Sequence, residues 1–136
     1  MQDKSLNEII ALHREFIQDL ANDIERKDLN EIRSLNRPPD RIFFIIRIAA
    51  TLLENDKELM DAEFKTCMMI VCSDEGRQMM KDIDIVSINR DIVDTAARLL
   101  LDNNDVSFKK LESTSRGALC IRLWIDTVIK LNKLYR

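Results

Sequence analysis

The chain has 136 residues, with two glycines, two prolines and 33% charged residues. So little turn chemistry excludes an all-β fold, and the dominance of Leu, Ile, Ala, Glu, Lys and Arg predicts one all-α domain. A net charge of −3 gives no support to nucleic-acid binding, and the longest apolar run, 42–50, is interrupted by Arg47 and falls short of the ~20 residues of a membrane span.

In chain order, the first element is a heptad-like helix. Leu6, Ile10, Ile17, Leu20 and Ile24 form a seam with His13 at the missing position, and Glu8, Arg14, Glu15, Asp19 and Asp23 flank it. Ile9, Leu12 and Phe16 make a second apolar register beside the first. This helix is expected to run on through Glu31-Ile32-Arg33-Ser34 and stop at Pro38-Pro39, because proline lacks the amide donor and clashes with the preceding turn. Ile42, Ile45, Ile46, Ala49, Leu52 and Leu53 then describe the apolar face of a second helix. A break is expected at 55–57, followed by a methionine-rich helix over 59–71. Ser73-Asp74-Glu75 reads as an N-cap with an acidic first turn, opening a short helix through Met79 and Met80. Ser87 or Asn89 caps the next helix, which carries Ile92, Val93, Ala96, Leu99 and Leu100. Asp102-Asn103-Asn104-Asp105 is a turn on composition. A final helix is expected from Ser107 to the end, with Ile121, Trp124, Val128, Leu131 and Tyr135 at steps of three and four.

Two heptad helices at opposite ends of a short chain pair most simply as an antiparallel hairpin. The expected architecture is a small helical-bundle head (38–118) on a two-helix coiled-coil stalk, outgoing over 1–37 and returning over 119–136.

Little in the sequence points to catalysis. His13 is the single histidine and sits on the seam, where a polar residue more often tunes register. Cys67, Cys72 and Cys120 lie in apolar helical contexts without CxxC spacing, which reads as inert thiols in a reducing compartment. There is no GxxxxGK[ST] or GxGxxG phosphate loop, and the acidic pairs lack the spacing of a calcium loop. No cofactor or metal is expected. The methionines read as core filler, with a partner groove as the alternative. The basic residues Arg37, Arg41, Arg77, Lys109, Lys110 and Arg116 fall near expected helix starts. They are either ordinary solvated surface or a converging patch for an acidic protein partner.

Taken together, these residues resemble the stalk tip, or microtubule-binding domain, of dynein heavy chains. Glu31-Ile32-Arg33-Ser34 before Pro38-Pro39 is similar to the family's junction between outgoing stalk and head. Ala49-Ala50-Thr51-Leu52-Leu53 is similar to its apolar run before the first head loop. Ser113, Gly117, Ala118, Leu119, Cys120 and Trp124 resemble the run into the returning stalk. Phe64 stands where the family often has tryptophan, and Phe43 and Phe44 where a lysine is frequent. Trp124 follows Leu119-Cys120 at a longer interval than usual, and 73–77 is unusually acidic, as in a divergent member.

The resemblance implies a track-binding module without an ATPase of its own, in the cytoplasm or an axoneme, gripping the acidic surface of α/β-tubulin. It assigns microtubule contacts to Arg41, Arg77, Lys109, Lys110 and Arg116, and the stalk–head junction to Pro38, Pro39, Leu119 and Trp124. The fragment is expected to be monomeric, without nucleic acid or membrane as partner. A half-heptad slip between stalk helices would move one by about 6 Å and couple stalk register to track affinity. The alternative is a helical adaptor that docks a protein, such as an accessory light chain, on Phe43, Phe44 and the methionines.

Overall fold

The computed structural model describes residues 2–135, with side chains from residue 7. Among these residues there is no strand. Eight α-helices follow one another: α1 (Gln2–Asp23), α2 (Arg26–Arg33), α3 (Asp40–Glu54), α4 (Phe64–Val71), α5 (Asp74–Asp82), α6 (Arg90–Leu101), α7 (Phe108–Glu112) and α8 (Arg116–Leu134). The all-helical expectation is met.

Local chemistry sets most of the boundaries. The Pro39 carbonyl accepts from the amides of Ile42 and Phe43, so the second proline opens α3 instead of merely ending what precedes it. Asn55 closes α3 in the left-handed region, at φ 51°. The Ser73 hydroxyl accepts from Gly76 N–H at 2.9 Å and caps α5. Of the two caps offered for α6, Asn89 is the one used, accepting from Asp91 N–H at 2.8 Å.

Three elements differ from the sequence expectation. The helix expected to run into the prolines is two helices, because the chain turns at Ile24-Glu25. The expected helix over 59–71 becomes a 3₁₀ turn (Lys57–Asp61) and α4. Between them Ala62 is extended, and its carbonyl accepts from Arg47 Nη2 at 2.9 Å. The last helix is divided at 113–115, where Ser115 is extended and caps α8 through Ala118 N–H.

α8 is the spine of the bundle. Ala118, Ile121, Trp124, Ile125 and Val128 are fully buried, and α8 packs against α1, α2, α3, α6 and α7. Each large side chain removed from water there contributes about 1.5–3 kcal/mol before entropy is set against it. Its two polar core groups are satisfied. Trp124 Nε1–H donates to the Met80 carbonyl at 3.1 Å, and Asn132 Nδ2 donates to the carbonyls of Ile85 and Ile88 at 2.8 and 3.2 Å.

α1 runs antiparallel to α8. Asp23, at the end of α1, meets Arg116 at the start of α8, and His13 meets Tyr135 at its end. The pair lies on the bundle, with Ile17, Ala21 and Ile24 inside the same core as Trp124. Both glycines mark close approaches. A Cβ on Gly76 would stand 2.0 Å from the Ile70 carbonyl oxygen, and one on Gly117 would stand 3.0 Å from Asp28 Cβ.

Candidate functional site

The five basic residues that the resemblance assigns to microtubule contact fall into two groups. Arg41 and Lys110 meet where the start of α3 approaches α7, with Lys109 next to Lys110 on that helix. Arg41 comes from the first turn of α3, which Pro39 positions. Its Nη2 lies 2.9 Å from Asp105 Oδ1, and its Nη1 donates to Thr114 Oγ1 at 2.8 Å and, more weakly, to the Lys110 carbonyl at 3.4 Å. Lys110 Nζ stands 3.7 Å from the same Asp105 oxygen. One carboxylate is therefore shared between two cations brought together from positions 41 and 110.

α7 exists locally because Ser107 caps it, its hydroxyl accepting from Lys110 N–H, and because Leu111 is a fully buried anchor. With Leu111 held inward, Lys109 and Lys110 are exposed. Phe108 beside them is 42% exposed and lies under the Arg122 guanidinium, whose carbon is 5.0 Å from the ring centre. The site is a small cationic surface on a rigid corner, with Asp105 cancelling part of its charge.

Arg77 and Arg116 lie elsewhere, at the turn between α1 and α2. Arg77 Nε donates to the Ile24 carbonyl at 2.8 Å, and Arg116 Nη1 donates to the Asp23 carbonyl at 3.2 Å. These are carbonyls at the C-terminal end of α1, which carry partial negative charge and lack helical partners. Arg116 also pairs with Asp28, a buried carboxylate that accepts Glu25 N–H at 3.0 Å. Both arginines are thus engaged by the chain's own acceptors. Sequence reasoning missed Asp28, Thr114 and Asp105. Only Asp105 carried a signal, its place in a polar turn beside two lysines.

Three of the four residues expected at a stalk–head junction have structural roles. Pro39 caps α3, Leu119 packs against the core and Trp124 lies within it. The hydrophobic features behind the adaptor reading are largely spent inside the protein. Phe43 meets Phe64 edge-on at 5.3 Å and lies under Arg47, whose guanidinium carbon is 4.1 Å from the ring centre. Met80 is buried, while Met69 is 62% exposed.

The thiols are poor nucleophiles. Burial pushes Cys72 up to about 12 and raises Cys67, and at Cys120 burial outweighs the lowering effect of Arg116. Among the described residues no cluster of three or more His, Cys, Asp or Glu side chains is placed to hold a metal, and no helix is long and apolar enough to cross a membrane. Comparison with protein-family models, with the curated proteins and with the solved structures returns no match.

Proposed function

We propose that the chain is a microtubule-binding stalk-tip domain of a dynein-type motor heavy chain, working at the cytoskeleton in the cytosol or an axoneme. The observation that carries the reading is the convergence of part-exposed Arg41 with exposed Lys110, and with Lys109 next to it on α7, from segments about 70 residues apart in sequence. An acidic protein surface such as tubulin's is the complementary partner, recognised through long-range attraction and a few charge-assisted hydrogen bonds. The resemblance at Pro38-Pro39 and at Leu119-Cys120…Trp124 supports the same reading.

In this proposal α1 and α8 are the base of the stalk. The corner at Ile24-Glu25, gripped by Arg77 and Arg116, joins α1 to α5 and α8. A slip of α1 along α8 would have to break those grips, which makes the corner the point where stalk register and head conformation meet. The adaptor reading, with an accessory light chain on the tip, draws less from the packing, because Phe43 is stacked and Met80 is in the core.

Co-sedimentation with microtubules over a salt series tests the proposal. Binding should weaken steeply with salt, and Lys109→Glu with Lys110→Glu should abolish it while the helical circular dichroism is unchanged. Absence of sedimentation at low salt, both by the unmodified chain and by variants with the α1–α8 pair locked in several registers, would sink the reading.

A further inference from the structure

One side of the antiparallel α1–α8 pair is covered by α5 and the connector after it. Ile83 to Val86 pack over Ile10, Arg14 and Ile17 of α1 and over Tyr135. The opposite side is bare and apolar. On α1, Ile9, Leu12 and Phe16 recur at steps of three and four, and they are 43%, 64% and 53% exposed. On α8, Leu123, Thr127, Lys130 and Leu134 recur at steps of four, three and four, with Leu123 40% and Leu134 64% exposed. This α8 stripe continues from Arg116 and Cys120, which sit against the end of α1. It therefore borders α1 on the side away from α5, as the α1 stripe borders α8. The two helices thus present an apolar strip made by Leu12, Phe16, Leu134 and Leu123, crossed on α8 by Thr127 and Lys130. Soluble proteins reserve such surface for a partner.

The charges at its rims select the partner. The outer edge of the α1 stripe carries Glu8, Glu15 and Asp19, all exposed. α8 carries Lys130 within its stripe and Lys133 beside it, also exposed. None of these five forms an ion pair among the described residues. A face that is acidic along one edge and basic along the other is complementary to itself when rotated about an axis parallel to the helices. We propose that this face pairs with the same face of a second copy of the chain, α1 over α8 in both directions, forming a four-helix bundle of two layers. Contacts of His13 with Tyr135 and of Asp23 with Arg116 fix the levels along the pair. They place Glu15 level with Lys130, so the two-fold brings this pair together twice, once on each side of the interface. A two-fold axis perpendicular to the helices would instead lay α1 on α1, acid against acid, and is disfavoured. The strip is narrow, so the dimer is weak and exchanges quickly. This association does not depend on microtubule binding.

Analytical ultracentrifugation of the chain from about 10 to about 300 µM tests it. A reversible monomer–dimer equilibrium is expected. Leu12→Glu should weaken it about tenfold or more, and Lys130→Glu should weaken it several-fold, with Glu15→Lys restoring association in the Lys130→Glu background. All these positions are exposed, and thermal melts will confirm that the variants fold. A monomer across the whole range would overturn the proposal, as would a dimer indifferent to Leu12→Glu. Failure of the charge swap to rescue would overturn the two-fold arrangement.

Discussion

The α1–α2 corner and the α3–α7 corner use arginine in opposite ways. At the first, Arg77 and Arg116 point into carbonyls at the end of α1 and, for Arg116, into a carboxylate that is almost wholly buried. At the second, Arg41 shares a half-exposed Asp105 with Lys110, and Lys109 stands in solvent beside them. A buried carboxylate that loses its partners is strongly penalised, whereas an exposed ion pair is worth little. The two corners therefore differ in the carboxylate each arginine meets, buried Asp28 at one and half-exposed Asp105 beside two exposed lysines at the other.

The largest effect expected from breaking this contrast is Asp28→Ala. Asp28 Oδ2 accepts both Arg116 and Glu25 N–H, so its loss uncaps the first turn of α2 and takes one partner from a half-exposed guanidinium. About 2 kcal/mol of stability should disappear in urea unfolding. Gly117→Val should cost a comparable amount, since even a Cβ meets Asp28 at 3.0 Å. A loss below about 1 kcal/mol for Asp28→Ala would show the corner to be merely superficial.

Next in size is Arg77→Ala, which orphans the Ile24 carbonyl and should cost about 1–2 kcal/mol. Arg41→Ala should cost less than about 1 kcal/mol, because its pair with Asp105 is part-exposed. On the microtubule-binding proposal the binding effects should run the other way: Arg41→Ala weakens co-sedimentation several-fold and Arg77→Ala leaves it near normal. Equal binding losses for the two would erase the distinction between the corners.

How much of this was legible depends on the range of the interaction that fixes each feature. Ser73, Asn89 and Pro39 act on neighbours within a few residues, so their caps can be read directly. The fully buried Ile45, Ile46, Ile121 and Trp124 follow from helical periodicity. The break at Ile24-Glu25 could not be read, because that segment holds no glycine or proline. Its carbonyls are satisfied by arginines at 77 and 116, and no local rule foresees them. The α3–α7 site was half legible. Lys109 and Lys110 announce themselves as a pair on a short helix, but Asp105 reaching Arg41 across 64 positions is a product of tertiary packing.

Asp105 also offers a way to sharpen the comparison. Asp105→Asn removes the anion shared by Arg41 and Lys110 and leaves the α3–α7 corner one unit more positive. Because the pair is half-exposed, stability should change by less than about 1 kcal/mol. If the corner binds microtubules as proposed, affinity should rise a few-fold at low salt, and the gain should vanish as salt screens it. Unchanged affinity at low salt would mean that this corner does not face the partner.

The smallest expected effect is chemical and reports on the first corner. Cys120 is partly exposed, close to Asp23, Asp28 and Arg116, whereas Cys72 is buried with its thiol pushed up to about 12. A thiol raised in the folded state stays protonated where the unfolded thiol, near 8.5, ionises. The stability it lends is therefore full below that value and is lost as pH climbs toward about 12. At pH 8 a thiol reagent should reach Cys120 first and Cys72 only on unfolding. Loosening the corner through Arg77→Ala should quicken Cys120 labelling by a few-fold, while Arg41→Ala leaves it unchanged. Because labelling reads local opening rather than global stability, a rate that rose equally in both variants would show that the two corners open together, as one unit rather than two.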